Sequence, residues 1–394
     1  MTTRPRPHSH TISRPGRPRR SLTGAAPRAG AVVVLLVGLA GCSYQQHLGD
    51  VGDAGSDSGR DAQQDVAAQQ DVGAQQDTAT QPDGPQSGPL PCSGFPLRAV
   101  WGSGPSDVWA VGYWSGAPGC GQTGIIHWDG TAWSPGGGCL DQRTYIRHRA
   151  VWGSGADDVW VVGDAAWRWD GTAWTAMIPA FDDLRSANAV WGSGAADVWI
   201  GGGRAGWPGL VQYLLYDGAD FAQVPPVSPY APLGLWGASA DDVFAVGDAG
   251  MILHYDGASW VAMDSGTDEV LYGVWGSSAT DVFAVGAAST VLHYDGTTWS
   301  PMSSGGTALP RGVWGASAHD VFAVGDAGTI LRYDGTAWAD MDSGTTLSLY
   351  GVWGSSGSDV WAVGGGPYAG EGIALHWNGT VWTSATCFPC ETWP

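Results

Sequence analysis

The sequence predicts an all-β fold, a seven-bladed β-propeller of four-stranded antiparallel blades, and three observations predict it. The 394 residues include 63 Gly and 24 Trp but only 14% charged residues, a composition typical of short strands joined by tight turns. A Trp-Gly pair recurs seven times, beginning at residues 101, 152, 191, 236, 275, 314 and 353. Such self-similarity, at a period of roughly 40 residues, is typical of propellers and repeat arrays. The repeats contain no segment of helical periodicity, so each repeat is expected to form one β-blade.

Residues 1–41 are predicted to be a lipoprotein signal peptide. Seven Arg precede residue 29 and a ten-residue apolar run, residues 31–40, follows them. This run is too short to span a hydrocarbon layer of about 30 Å, and a basic stretch before a short apolar core is typical of a secretory signal. The sequence Leu-Ala-Gly-Cys at residues 39–42 resembles the bacterial lipobox and predicts lipid attachment at Cys42. A soluble secreted protein with an incidental cysteine is the alternative.

The same segment indicates a compartment. Ser43, rather than Asp, follows the predicted lipidated cysteine, which in a Gram-negative cell resembles an outer-membrane sorting signal. Arg19-Arg20 also fits a twin-arginine export signal. We therefore expect an exported outer-membrane lipoprotein that faces the periplasm or the cell surface.

Residues 42–91 are predicted to be a disordered, Gln/Asp-rich tether. Ala-Gln-Gln-Asp recurs at residues 62–65, 68–71 and 74–77, and large apolar residues are almost absent. A segment of this composition buries too little apolar surface to offset the entropy of ordering it. The tether is therefore expected to hold the folded part away from the membrane.

Residues 92–394 are predicted to form the propeller, and each repeat has four β-rich runs. Asp-Gly or Asn-Gly follows the third run in all seven repeats, which predicts a type I′ hairpin turn between the third and fourth strands. Second runs such as residues 282–285 are apolar at every position. Both faces of such a strand must be covered, as they are when blades stack.

Two polar positions recur in every or nearly every repeat. An Asp stands six residues after each repeat Trp and is expected to accept hydrogen bonds from the backbone of its own turn. A basic residue on the third strand is expected to pack between blades or to be solvated. Neither position offers clustered ligands, so no metal site and no cofactor are predicted. The acids are Asp107, Asp158, Asp197, Asp242, Asp281, Asp320 and Asp359, and the basic residues are His127, Arg168, His254, His293, Arg332 and His376.

The repeat unit resembles the BNR or Asp-box propellers of the sialidase-like superfamily, which includes photosystem II assembly-factor-like repeat proteins. The resemblance rests on Asp-Val-Phe-Ala-Val-Gly-Asp followed by Ile-Leu-His/Arg-Tyr-Asp-Gly-x-x-Trp, clearest at residues 235–260 and 313–338. It implies a propeller over residues 97 to about 385. The usual Asp-x-Gly-x-Thr-Trp box is shortened here, so a kelch-like propeller remains the alternative. A glycosidase-like enzyme and an envelope assembly factor are the activities that the resemblance raises.

Differences between the repeats locate a candidate binding face. The second turn is long in repeats 1, 3 and 7, and the connections after repeats 1 and 2 are longer than the others. Both connections open on one face of a propeller, and binding residues concentrate on such loops. Neutral loop drift is the alternative. Aromatic and Arg side chains in and beside these insertions form the predicted partner-binding set: Tyr113, Trp114, Arg143, Tyr145, Arg147, Arg149, Arg204, Trp207, Tyr230 and Tyr368.

The charge balance limits the class of partner. After the signal peptide, ten Arg face 37 acids, which argues against nucleic acid because phosphate binding needs clustered cations. No nucleophile elbow or zinc-protease helix is present, and the propeller contains only three Glu. The sequence therefore predicts a monomeric, non-enzymatic propeller that binds a protein or polysaccharide of the cell envelope.

The remaining cysteines are predicted to form disulfides after export. Cys120 and Cys139 both lie in insertions of the first repeat and form the preferred pair. Cys92 precedes the first blade, and its pairing with Cys387 or Cys390 after the last blade would close the ring. The alternative is a bond between Cys387 and Cys390 that leaves Cys92 free.

Overall fold

The computed structural model describes residues 95–115, 124–137, 140, 145–178, 186–203, 211–305, 309–366 and 372–385, with residues 114, 115, 145 and 146 described by their backbone alone. The predicted signal peptide, the tether and all six cysteines lie outside this part of the chain. Apart from strands, the described residues contain two short 3-10 turns, Asp248–Gly250 and Asp326–Gly328. No described helix has the length and apolar character needed to cross a membrane.

The described strands number 28, four from each repeat unit. Units 1 and 2 contain β1 (Leu97–Gly104), β2 (Asp107–Ser115), β3 (Ile125–Trp128), β4 (Trp133–Pro135), β5 (Tyr145–Gly155), β6 (Asp158–Gly163), β7 (Ala166–Trp169) and β8 (Trp174–Ile178). Units 3 and 4 contain β9 (Ala187–Gly194), β10 (Asp197–Gly202), β11 (Gln212–Tyr216), β12 (Phe221–Val224), β13 (Pro232–Ser239), β14 (Asp242–Gly247), β15 (Ile252–Tyr255) and β16 (Trp260–Met263). Units 5 and 6 contain β17 (Leu271–Ser278), β18 (Asp281–Gly286), β19 (Val291–Tyr294), β20 (Trp299–Pro301), β21 (Pro310–Ser317), β22 (Asp320–Gly325), β23 (Ile330–Tyr333) and β24 (Trp338–Met341). Unit 7 contains β25 (Leu349–Ser356), β26 (Asp359–Gly365), β27 (Gly372–Trp377) and β28 (Trp382–Ser384).

Within each unit the four strands pair antiparallel in chain order, so each unit is one four-stranded blade. The first strands of successive units are neighbours, and β25 of the last unit contacts β1 of the first. The first strands therefore surround a common axis, and the fourth strands lie at the outer edge. This arrangement confirms the predicted all-β fold of four-stranded antiparallel blades.

Units 1 and 2 are joined more closely than the other pairs. The end of β2 pairs antiparallel with the start of β5, with Tyr113 opposite Arg147, which merges the two blades into one eight-stranded sheet. Part of the length added to unit 1 and to the connection after it thus forms a β-ribbon, because the two extensions satisfy each other's backbone hydrogen bonds.

The recurrent Trp-Gly pair has a packing role between units. The indole of each repeat Trp lies against the Gly that follows the repeat Trp of the next unit. A Cβ on that Gly would stand only 2.5–2.7 Å from the ring, so the contact requires glycine. The contacts are those of Trp101 with Gly153, Trp152 with Gly192, Trp191 with Gly237, Trp236 with Gly276, Trp275 with Gly315, Trp314 with Gly354 and Trp353 with Gly102.

A second series of contacts joins the units further from the axis. An aromatic residue on each second strand meets, edge to face, the aromatic residue that begins the fourth strand of the next unit. The centroids are 5.1–6.2 Å apart and the planes 80–86° apart, a favoured geometry for aromatic pairs. The pairs are Trp109 with Trp174, Trp160 with Phe221, Trp199 with Trp260, Phe244 with Trp299, Phe283 with Trp338, Phe322 with Trp382 and Trp361 with Trp133.

The hydrophobic core is accordingly divided among the unit boundaries. Each of the seven clusters of buried residues combines side chains from two adjacent units. The cluster that joins the last unit to the first contains Phe95, Leu97 and Trp133 together with Trp361 and Val363. Second strands such as β18 are buried at five of six positions, as predicted for strands covered on both faces.

The Asp that follows each repeat Trp acts differently from the prediction. Its carboxylate binds side chains within its own blade, rather than the backbone of its turn. In five units it accepts a hydrogen bond from the Ser four residues earlier, as Asp107 does from Ser103. In six units it also binds the basic residue of the third strand at 2.6–3.0 Å, which places that residue in an ion pair or hydrogen bond inside the blade.

The same basic residue lies over the aromatic ring of its own second strand. His127 is 4.3 Å from Trp109, measured between ring centroids, and the Arg332 guanidinium is 5.0 Å from the Phe322 ring. Unit 3 differs, since Leu215 stands opposite Trp199 where the other units have the basic residue. The ring and the carboxylate together fix the third strand on the second.

The turn between the third and fourth strands lies at the predicted Asp-Gly or Asn-Gly position but is not of type I′. It spans four residues, and only its Gly has a positive φ, for example 90° at Gly296. The Asp295 carboxylate accepts hydrogen bonds from the backbone N–H groups of Thr297 and Thr298 and from the Thr297 hydroxyl. The acceptor side chain of the Asp therefore closes a four-residue turn, as Asp and Asn side chains often do.

Candidate ligand pocket on the propeller axis

One side chain from each first strand lines a pocket on the propeller axis. Each of these residues stands three positions before its repeat Trp, and Tyr113 of β2 joins them. The pocket has a volume of about 170 Å³, and it continues into a channel formed by the next two residues of the same strands. The seven first-strand residues are Arg98, Arg149, Asn188, Leu233, Tyr272, Arg311 and Tyr350.

Small residues at the next position allow the first strands to approach one another. This position is Ala in the first three units and Gly in the last four. A Cβ on Gly312 would stand 2.7 Å from the Tyr350 carbonyl oxygen, and one on Gly351 would stand 2.9 Å from the Ala99 Cα. Because the strands approach closely, the pocket side chains, one position earlier in each first strand, lie within reach of one another.

The pocket lies on the face that carries the second turns and the connections between blades. Leu97, at the start of β1, is paired with Gly112, near the end of β2. The Tyr113 N–H donates to the Pro96 carbonyl oxygen at 3.2 Å. The residues of the pocket therefore lie at the same end of the blades as the insertions that the sequence singled out.

Arg98 is held between two tyrosine rings. Its guanidinium carbon is 4.4 Å from the Tyr113 ring centroid and 4.0 Å from that of Tyr350, while the Arg149 guanidinium is 5.8 Å from the Tyr113 ring. These are cation–π distances. Each ring orders a guanidinium at the pocket without neutralising its charge.

The charges of Arg98 and Arg149 are not balanced by carboxylates within the described part of the chain. The arginines with a carboxylate partner there are Arg147, Arg168, Arg311 and Arg332. The Nε atoms of Arg98 and Arg149 are also buried without a hydrogen-bond partner among the described residues. Because each Nε is covered, a bound molecule would meet the terminal nitrogens of these guanidinium groups.

Arg311 is the exception among the three arginines of the pocket. Its Nε and one terminal nitrogen donate to the two Asp326 oxygens at 2.6 and 2.8 Å. These hydrogen bonds lower the pKa of Asp326 despite partial burial, and they raise the pKa of Arg311. Arg311 is thus a compensated charge, and the pocket contains two uncompensated ones.

The predicted partner-binding residues fall into three groups. Tyr113 and Arg149 line the axial pocket. Arg147 donates from Nε to Asp164 at 3.0 Å, and Tyr230 packs against the core between units 3 and 4, so neither contributes to that pocket. Trp114 and Tyr145 are placed by backbone alone, in β2 and β5. Arg143, Arg204, Trp207 and Tyr368 lie outside the described residues, as do the lipidation and disulfide candidates Cys42, Cys92, Cys120, Cys139, Cys387 and Cys390.

Sequence reasoning missed most of the pocket. Alignment of the seven repeats on their Trp contains the missing signal, since the third position before it varies among Arg, Asn, Leu and Tyr while the two positions after it stay small or apolar. A variable position inside a constant strand indicates a surface that the fold does not constrain. The missed residues are Arg98, Asn188, Leu233, Tyr272, Arg311 and Tyr350.

Two solved structures support the fold. The chain is similar to YCF48 from Cyanidioschyzon merolae, with a TM-score of 0.54 and 14% identity over 74% of this chain and 97% of that one. It is also similar to the WD40 β-propeller domain of Doa1, with a TM-score of 0.53 and 11% identity over 74% of this chain and 95% of that one. A structure of YCF48 bound to D1 peptide matches with a TM-score of 0.48 and 18% identity over 60% of this chain and 80% of that one. No protein-family model and no curated protein matches the sequence. The fold and its neighbours define the class of the protein as a β-propeller.

Proposed function

We propose that this chain is a non-enzymatic binding protein, exported and held on the outer membrane by a lipid on Cys42. It binds a protein or polysaccharide of the cell envelope through the face that carries the second turns. The propeller supplies a rigid frame, and its variable loops and pocket supply the recognition surface.

The observation that carries this proposal is the axial pocket. Two arginines without a carboxylate partner in the described residues, Arg98 and Arg149, meet three tyrosines there, in a chain with a formal net charge of −20. Arginine and tyrosine, like tryptophan, are enriched at binding hot spots. A basic aromatic pocket in an acidic protein favours capture of a partner that carries the opposite charge.

Affinity capture from native envelopes tests the binding role. The wild-type protein should retain a specific envelope component that survives salt washing. A double variant, Arg98→Asn with Arg149→Asn, should lose it, and these substitutions introduce the side chain that unit 3 already has as Asn188. Arg332→Asn removes one positive charge outside the pocket and should retain the component. Capture that is equal for all three proteins would refute the pocket as the binding surface.

The anchoring part of the proposal rests on the signal peptide and its lipobox-like end. Mass spectrometry of the mature amino terminus should find diacylglycerol on Cys42 and no residue before it. A Cys42→Ala variant should leave the membrane fraction. A mature terminus elsewhere, or membrane retention of that variant, would contradict the anchor and leave the binding role intact.

The non-enzymatic part of the proposal has its own assay. The pocket side chains are suited to holding a charged group, whereas glycoside hydrolysis uses a pair of carboxyl groups that flank the scissile bond. The purified protein is therefore expected to release no product from a panel of sialosides and envelope glycans. Turnover that disappears on substitution of a pocket residue would establish an enzyme instead.

A further inference from the structure

We propose that the axial pocket is a site for a small organic anion, a carboxylate or sulfonate group carried on an apolar stem. This inference rests on the proposed binding function and names the chemical class that the pocket recognises. The anionic group would bind the Arg98 and Arg149 guanidinium groups, and the stem would contact the tyrosine rings and Leu233.

The positive charge of the pocket favours an anionic ligand. The guanidinium groups of Arg98 and Arg149 lie 4.4 and 5.8 Å from the same Tyr113 ring centroid, so two like charges lie around one aromatic ring of the pocket. Partly buried charges repel each other strongly unless a counter-charge is present. Arg311 has such a counter-charge in Asp326. An anion between Arg98 and Arg149 would supply the charge that the described residues around them do not.

The arrangement of the N–H donors fits such an anionic group. A guanidinium group presents its N–H donors in a planar fork that matches carboxylate and sulfonate oxygens. The Nε atoms of both arginines are covered, which leaves their terminal nitrogens to bind the anion. The amide of Asn188 also lines the pocket and offers an additional neutral donor.

The apolar part of the lining favours an organic anion over an inorganic one. Tyr113, Tyr272, Tyr350 and Leu233 share the pocket with the arginines. An inorganic ion would leave these apolar surfaces uncovered, whereas an anion on an apolar stem would bury them and gain free energy. The volume of about 170 Å³ accommodates one ring or a short chain. The pocket would therefore take a small anion or the terminal group of a longer molecule.

The positions of Arg98 and Arg149 around the axis also favour an anion site. One position in each blade supplies the pocket, and Asn, Leu and Tyr occupy it in units 3, 4, 5 and 7. Charged side chains are thus not needed at this position for a blade to fold. Arg98 and Arg149 lie in adjacent units, beside the β-ribbon between β2 and β5, which concentrates the positive charge on one side of the pocket.

Calorimetric titration of the purified protein with benzoate, benzenesulfonate, benzamide, acetate and sulfate tests the proposal. Benzoate or benzenesulfonate should bind at least tenfold more tightly than acetate or sulfate, since only the former pair has a stem. Benzamide, which has the same shape as benzoate without the charge, should not bind measurably. Equal affinity for benzamide and benzoate would overturn the charge argument, and equal affinity for sulfate and benzenesulfonate would overturn the stem.

Variants locate the site. Arg98→Asn and Arg149→Asn should each weaken benzoate binding at least tenfold, and Arg332→Asn should leave it unchanged. If Arg98→Asn fails to fold because the tyrosine stack is lost, Arg149→Lys gives an independent test, since it keeps the charge and removes the planar fork. It should weaken binding less than Arg149→Asn. Undiminished binding by the folded Arg149→Asn variant would overturn the site.

Competition separates this inference from the proposed function. Benzoate should release the captured envelope component, and a peptide with a free carboxyl terminus or a uronic acid should compete according to which type of stem the natural ligand has. Capture that benzoate cannot displace would overturn the pocket as the recognition site while leaving the binding function standing. Tight benzoate binding without any captured component would refute the proposed function while leaving the anion site standing.

Discussion

The indole of Trp353, in the last repeat unit, lies against Gly102 in the first. A Cβ at Gly102 would stand 2.7 Å from the Trp353 Cη2 atom and 2.6 Å from the Asp107 carbonyl oxygen. The same contact recurs at the other six unit boundaries, so the join between the two ends of the propeller is equivalent to the joins within it. Side-chain packing therefore closes the ring between the described ends of the propeller.

Substitution of the closing glycine should weaken the fold. Gly102→Ala adds a methyl group where no space exists and should lower the free energy of unfolding by about 2 kcal/mol, the cost typical of an overpacked core. Gly104→Ala is the matched control, because nothing lies within 4 Å of its added Cβ, and it should change stability by less than about 0.5 kcal/mol. Chemical denaturation of both variants measures the difference, and equal costs would contradict the role of Trp353.

The outer aromatic contact should matter as much as the inner one. Trp133 is 2% exposed and meets Trp361 of the last unit edge to face. Trp133→Ala should cost about 3 to 5 kcal/mol, the range for removal of a large buried aromatic. Val381→Ala, at a position 51% exposed, should be nearly neutral, since the equivalent residue in unit 1 is Ala132. A neutral Trp133→Ala in thermal unfolding would show that this contact does not hold the ends together.

The ion pairs inside the blades should stabilise the fold by different amounts, according to how deeply the carboxylate is buried. Arg168→Leu removes the partner of Asp158, whose side chain is 8% exposed, and should cost about 3 kcal/mol because a buried carboxylate is left with only a Ser hydroxyl. Arg332→Leu removes the partner of Asp320, which is 21% exposed, and should cost about 1 kcal/mol. Both changes install the residue that unit 3 has naturally as Leu215. The reverse order of stability losses in urea would contradict this account.

The turn aspartates should make stability fall in acid. Hydrogen bonds from the Thr297 hydroxyl and from the backbone of Thr298 and Thr297 lower the pKa of Asp295 from 3.8 to about 2. Because the folded-state pKa lies below the unfolded one, the folded state binds fewer protons than the unfolded chain between these values. The stabilisation is therefore complete above about pH 4 and is lost as the pH falls towards 2.

An asparagine variant isolates this effect. Asp295→Asn keeps the acceptor, as Asn378 does in unit 7, and cannot titrate. The wild-type protein should be the more stable of the two at pH 6, and the difference should shrink as the pH falls from 4 to 2. Denaturation midpoints at pH 6, 4, 3 and 2.5 measure it. A difference that is independent of pH would contradict the lowered pKa.

Release of Arg311 should strengthen the anion site. Asp326→Asn removes the carboxylate that holds the Arg311 guanidinium, so a third uncompensated charge would face the pocket. Benzoate affinity should rise severalfold, and salt should weaken it more steeply than in the wild type. Asp340→Asn, on the outer strand β24, is the control for net charge. Equal effects of the two variants would mean that only the overall charge matters.

The sequence predicted those features of the fold that depend on local chemistry. The Trp-Gly period, the Asp-Gly turns and the apolar second strands each depend on a few neighbouring residues, so one repeat suffices to show them. The turn type and the partner of the repeated Asp were predicted wrongly for a related reason. The partner of Asp281 is His293, on a different strand. Only strand pairing brings the His293 Nε2 atom to 2.6 Å from the Asp281 Oδ1 atom.

The insertions indicated the face on which the axial pocket lies, but only some of the residues that line it. Tyr113 and Arg149 lie at the axial pocket, whereas Arg147 lies beside Asp164 and Tyr230 near another boundary. Loop length shows where the chain has been extended and does not show which side chains meet.

By itself, the sequence determined that this protein is built of repeated four-stranded blades, because strand pattern and turn chemistry are local. Only the tertiary structure decided where its charge is concentrated. Arg98 and Arg149 are 51 residues apart in the chain, and Tyr350 is 252 residues from Arg98. They meet because closure of the ring brings one position of every first strand to the same axis, and that convergence is a property of the ring and of no single repeat.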